Sequence, residues 1–187
     1  MQNVLLTSSN FIKGLTNISD NLSDKMLLPA IRESQEIDLK GVIGENLLDR
    51  IKELIKQNEI NNDEYAAYKD LLEKCQYFLA YQTVARVCVM VSYKIDNIGV
   101  SRTRDDNVDY ASLAEVMQME QYYVEKADFF KMELQNFCLA NRQALPELRE
   151  CDCYKIHSNL YATASSGLFL GSRRGKILRN RGLCSKG

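Results

Sequence analysis

Residues 63–93 read DEYAAYKDLLEKCQYFLAYQTVARVCVMVSY, and the folding of this stretch decides the architecture. Its first half carries Tyr68, Leu71, Leu72, Cys75, Phe78 and Leu79 at i, i+3, i+4, i+7, i+10 and i+11, the apolar stripe of an amphipathic helix. Beyond Ala80 the chain is apolar nearly all round: Val84, Ala85, Val87, Cys88, Val89, Met90, Val91. VCVMV at 87–91 also fits a buried strand. Helix is preferred, because no glycine or proline separates it from the periodic segment before it, and one helix from Asp63 to Tyr93 is expected. A helix apolar on every side belongs at the centre of a core or at a subunit interface. Val84, Val87, Met90 and Val91 are therefore expected to pack against a neighbouring subunit.

The flanking sequence extends the helical reading in both directions. Phe11, Ile12, Leu15 and Ile18 mark an N-terminal segment that packs. Ser23 and Asp24 offer a helix cap, Pro29 is expected near the first turn, and Gly41 is expected to stop that helix after Lys40. A second helix from Gly44 to Asn58 places Leu47, Leu48, Ile51, Leu54 and Ile55 on one face. Asn61 and Glu64 resemble a capping box for the third. Asn97-Ile98-Gly99-Val100 ends the third helix, and SRTRDDN at 101–107 reads as a polar loop. The fourth helix spans Asp109 to Ala144, with Leu113, Val116, Met117, Tyr123, Val124, Ala127, Phe130, Leu134, Phe137 and Cys138 in the 3.6-residue period. The expectation is a mainly α protein: a four-helix bundle-like body over 1–150 and an extended basic C-terminal arm over 151–187. A short strand or hairpin is allowed for near Ile156–Tyr161 or Leu168–Leu170. Leu47, Leu48, Leu72, Phe78, Phe130 and Phe137 are expected to build the core.

Composition agrees with one ordinary domain and an appendage. The 187 residues are 45% hydrophobic and 26% charged, with two prolines and nine glycines, too little punctuation for a many-turned β sandwich. No apolar run approaches the ~18 residues of a membrane span, so no membrane association is expected. MQNVLLTSSNF lacks the basic start and apolar centre of a secretory signal. Six cysteines, three of them inside apolar helical patterns, suit a reducing cytoplasm better than a disulfide framework. Charge is the sharpest signal. All 25 acidic residues lie in 1–152, whereas 153–187 holds seven Lys or Arg and none, leaving residues 1–152 at −8 and residues 153–187 at +7.

Catalytic chemistry finds little footing. The single histidine, His157, lies near Cys151 and Cys153, but a Cys–His nucleophilic pair there would have nothing to hold it in register. The same residues spell C-x-C-x3-H, one ligand short of a structural zinc site and without the CxxC spacing. Two ordinary thiols beside a surface histidine is the simpler reading. Gly41-Val-Ile-Gly44 is not followed by the Lys-Ser/Thr of a phosphate loop, and Asp105-Asp106 is balanced by Arg102 and Arg104. No catalytic residue, metal or cofactor is expected.

The arm carries the remaining candidates. Leu168, Phe169, Arg173, Arg174, Lys176, Ile177, Arg179 and Arg181 interleave cations with apolar side chains. Cations alone suit phosphates. With Phe169 the only aromatic close to them, stacking on single strands is poorly served, and docking on an acidic protein surface fits the mixture better. A solvated tail and a small DNA-binding or packaging-associated protein using this arm are the alternatives.

A cadence of motifs then suggests a family. Ser9-Asn10-Phe11-Ile12, Leu28-Pro29-Ala30-Ile31-Arg32-Glu33-Ser34-Gln35, Ile37-Asp38-Leu39 and Val42-Ile43-Gly44-Glu45-Asn46-Leu47-Leu48 precede the long helix that Asn97-Ile98-Gly99-Val100 closes. Over roughly residues 9–145 this resembles the head–tail connector, or adaptor, proteins of tailed bacteriophages, the helical type of crAss-like phages and related prophages. The resemblance implies a structural virion protein, made in the host cytoplasm and placed at the head–tail junction. It implies a homo-oligomeric ring of twelve below the portal protein, with further tail or ring proteins beneath. DNA would pass through the channel without sequence-specific binding. The acidic body is compatible with that, since like charge keeps a conduit from gripping phosphates.

Overall fold

The computed structural model describes the backbone of residues 4–96, 99–102 and 111–148, and side chains within 4–91 and 111–148. The chain is mainly helical, as the periodicity indicates. The elements are α1 (Ser9–Leu15), α2 (Asp24–Glu33), a π-helical segment (Ser34–Leu39), α3 (Lys40–Ile43), α4 (Glu45–Lys56), α5 (Ala66–Ser92), β1 (Tyr93–Asp96), β2 (Gly99–Arg102) and α6 (Leu113–Ala140). Single 3-10 turns, Asp63–Tyr65 and Pro146–Leu148, precede α5 and follow α6.

The long helices α5 and α6 form the centre. They run antiparallel: Lys74 lies over the Phe137 ring, Tyr77 and Tyr81 stack on Phe130, and Lys126 lies over Tyr81. VCVMV is helical, continuous with the stripe before it. Two apolar clusters divide the length of α5. Toward its start Leu71, Cys75, Phe78 and Leu79 pack with Leu47, Leu48, Ile51 and Leu54 of α4 and with Leu134 and Cys138 of α6. Toward its end Ala80, Val84, Ala85 and Val87 pack with Ile12 of α1, Leu27 and Ile31 of α2, and Tyr123 of α6. An all-round apolar stretch is needed there because α1, α2 and α6 cover it from different sides. Of the expected core, Leu47, Leu48 and Phe78 are fully enclosed, while Leu72, Phe130 and Phe137 are half-buried against its edge.

Several boundaries differ from the sequence reading. Gly41 does not stop the second element: it sits inside α3, and the helical run continues through the π segment to Ile43. Gly44 ends it, at φ 86, where a side chain would be strained. Pro29 lies a turn deeper than expected, in the interior of the helix that Ser23 caps. Asn61 and Glu64 do not form the capping box; Asn62 stands at the cap position and its side chain makes no cap bond. The box forms at α6 instead, with Ser112 Oγ accepting from the Glu115 amide and Glu115 accepting from the Ser112 amide. Tyr93 belongs to a strand. Ser101 and Arg102 join β2, paired antiparallel with β1 from Tyr93↔Arg102 to Asp96↔Gly99. The hairpin considered for the arm falls outside the described residues.

Polar side chains fasten the N-terminal segment and the π turn to α5. The buried Gln35 accepts from the Leu6 amide at 2.9 Å and donates to the Val4 carbonyl at 3.0 Å. Gln76 donates to the Leu6 carbonyl at 2.8 Å. Segment 4–7 thus satisfies its backbone through two amides rather than a sheet partner. Arg86 of α5 grips Asp38 with Nη2 at 2.8 Å and Nε at 3.1 Å, and reaches Glu33 at 3.5 Å. The wide π turn lets Gln35 and Leu39 face inward while Asp38 meets Arg86.

At the far end, Tyr68 donates to the Glu147 carboxylate at 2.9 Å, tying the turn after α6 to the start of α5. Burial, and then this bond, push the Tyr68 phenol up to about 12 from 10.0. Its folded value exceeds its unfolded one, so its contribution is complete below about pH 10 and is lost as pH climbs toward 12. In urea melts over that interval, Tyr68→Phe should fall off less steeply than the wild type. Burial also raises the Cys75 thiol well above its ordinary value and that of Cys138 to about 12. Both should resist iodoacetamide at neutral pH in the folded chain and react once it is unfolded, as mass spectrometry would show.

Candidate docking surface

The residues foreseen for contact divide three ways. Leu168, Phe169, Arg173, Arg174, Lys176, Ile177, Arg179 and Arg181 lie outside the described residues, as do Cys151, Cys153 and His157. Val84 and Val87, expected to face a neighbouring subunit, are 1% and 4% exposed and are covered from within the chain by the second cluster. Met90 is half-buried against that cluster, and Val91 is 42% exposed. Of the four, Val91 alone offers substantial surface to a partner.

Val91 belongs to an apolar groove of about 340 Å³ at the hairpin end of the α5–α6 pair. Ile18 and Leu22, from the link between α1 and α2, form one wall, the last turns of α5 the floor, and Val116 and Met119 of α6 the other wall. Among the described residues Glu115 is the single charged side chain lining it. Burial, then the field of Glu120, raise the Cys88 thiol on the floor above its ordinary value. The groove exists because α6 is longer than the α1–α2 layer that covers it. Leu113 and Met117 follow the 3.6-residue period of the core stripe, yet both remain exposed.

Further along α6, Tyr122, Phe129 and Met132 are about half-exposed or more, and Tyr122 and Phe129 line a hollow with Tyr81 of α5. Beside them Lys126 sits over the Tyr81 ring at 5.6 Å and the Tyr122 ring at 4.7 Å. A second hollow, also about 340 Å³, opens between α5 and α6 where Tyr77, Phe130 and Phe137 are rimmed by Asp70, Glu73 and Glu133. Sequence reasoning missed Ile18, Leu22, Met119, Phe129 and Met132 as surface features. Each is an ordinary hydrophobe in a helical or mixed segment, and only the identity of its cover separates core from surface.

The described residues bring apolar and aromatic side chains to the surface of α5 and α6. Among them no three His, Cys, Asp or Glu side chains are placed to hold a metal ion, and no helix is long and apolar enough to cross a membrane. Residues 39–158, well over half of the chain, match the model of a family described as a family of unknown function, DUF6712. No curated protein and no solved structure matches the chain.

The exposed row can be tested against the core. Met117→Ser and Met132→Ser should each change stability by no more than about 0.5 kcal/mol. Leu134→Ala, at a fully enclosed site, should cost about 2–5 kcal/mol, read as the shift in urea midpoint at constant m.

Proposed function

Because the chain belongs to the DUF6712 family, whose function is unknown, its role rests on its own residues, and we propose that it is a structural virion protein: a head-to-tail connector that forms a ring below the portal, extends the DNA channel and joins capsid to tail. The observation that carries this reading is the apolar surface on α5 and α6, with Val89, Val91, Leu113, Met117, Met119 and Phe129 all turned outward. A chain that exposes this much apolar side chain around one helix pair is built to be covered by protein. The resemblance over residues 9–145 says which assembly. Ring closure needs a heterologous contact whose rotation closes, and two apolar areas at different places on one chain supply its halves. The −8 charge of residues 1–152 suits a wall along which DNA slides. In this role the protein is not an enzyme. Its partners are copies of itself, the portal protein and further tail or ring proteins.

Purified protein mixed with portal should appear in electron micrographs as a ring seated on the portal. Truncation after Glu150 should keep the far-ultraviolet helical signal and lose portal binding. Unchanged portal affinity of the truncated chain would sink the docking role of the arm.

The seven Lys and Arg of residues 153–187, with no Asp or Glu among them, favour a second reading, a DNA-binding or packaging-associated protein. It requires log affinity for duplex DNA to fall with log salt at about −0.9 per phosphate contacted. The connector reading expects weak binding of any sequence. A steep slope that disappears on truncation would turn the choice toward DNA.

A further inference from the structure

We propose that the apolar groove at the hairpin end receives Leu168-Phe169-Leu170 from the arm of a second copy of this chain, joining neighbouring subunits head to tail. This rests on the connector reading and names the contact that builds the ring.

Chemistry matches the two halves. The groove walls are Ile18, Leu22, Val91, Val116 and Met119, with room for more than one large apolar side chain. Within the arm, Leu168-Phe169-Leu170 is an unbroken apolar triplet, flanked by Gly167 and Gly171, which let the backbone approach a wall closely. Charge gives the direction. Glu115 lines the groove, Glu120 acts on its floor, and Asp20 follows Ser19 of its wall, while no Lys or Arg among the described residues lines it. Arg173, Arg174 and Lys176 follow the triplet closely enough to meet these carboxylates.

Geometry favours a second copy over the same chain. The arm departs after Leu148, which packs beside the start of α5, at the opposite end of the helix pair from the groove. The 28 residues of α6 span roughly 42 Å at about 1.5 Å each. Nineteen residues separate Leu148 from Leu168. A relaxed chain of that length covers only about 25 Å. Return to the same groove therefore demands a stretched arm laid along its own body. A neighbour whose groove lies beside the exit point demands no stretching. An arm seated in a neighbour's groove joins two different surfaces of the chain, and where the exchange is not reciprocal the contact propagates and closes into rings.

Two full-length variants test it. The groove variant carries Val91→Glu and Met119→Glu, both at exposed positions, so folding is preserved. The arm variant carries Leu168→Asp and Phe169→Asp. In sedimentation velocity the wild type should form a closed oligomer and each variant alone should be monomeric. An equimolar mixture should recover association and stop at a one-to-one pair, since one good arm and one good groove remain. A mixture that stays monomeric overturns exchange between copies. A fluorescein-labelled peptide of residues 164–178, titrated into the arm variant, should bind saturably and at least tenfold more weakly to the groove variant. Equal binding to both overturns the groove assignment. Wild-type-like assembly of both variants removes this contact and leaves the ring reading standing. Peptide capture by the groove in a chain that never assembles, alone or on portal, does the reverse.

Discussion

Everything in the fold leans on the antiparallel contact between α5 and α6. The two helices together hold more than half of the described helical residues, and the stacked rings of Tyr77, Tyr81 and Phe130 lie across their seam. Two long helices burying one stripe each would leave most of their apolar surface wet. The remaining elements are placed by that imbalance. Helix α4 covers the first half of α5, α1 and α2 cover the second, and the turn after α6 is pinned back by Tyr68 and Glu147. Burial of this kind, at about 25 cal/mol per Å² of apolar area, is what offsets the ordering of so many short segments.

Polar groups set the register of those covers. Arg86 holds the π turn through Asp38, and Gln35 and Gln76 hold segment 4–7. These are directional bonds in a largely non-directional core. A one-residue slip of the helical run 24–43 would carry Gln35 and Asp38 off their partners and leave buried polar atoms unpaired. The π turn is the local adjustment that lets both be met at once.

Cover is nevertheless incomplete, and its incompleteness is localised. The α1–α2 layer leaves the groove beside the first turns of α6, and Tyr122, Phe129 and Met132 stay about half-exposed. In the connector role proposed above, the uncovered apolar surface would be where a neighbour sits, and the acidic body would be where DNA passes.

The helical class and the identity of α5 and α6 were legible in the sequence, because a 3.6-residue apolar period over many turns admits one regular structure and no breaker interrupts residues 66–92. The charge split between body and arm was equally plain, being a property of order along the chain alone. Punctuation was legible only in part. Ser23 reads as a cap and is one, whereas Gly41 and Asn61 carry the same kind of signal and yield to Gly44 and Asn62, whose backbone positions depend on packing. Burial was decided by tertiary structure alone. Val87 and Val91 are the same residue one turn apart on one helix, yet one lies inside the core and the other on its surface. A side chain's hydrophobicity is set by its own atoms, but its exposure is set by whichever distant element lies opposite, and the sequence of α5 does not contain that element.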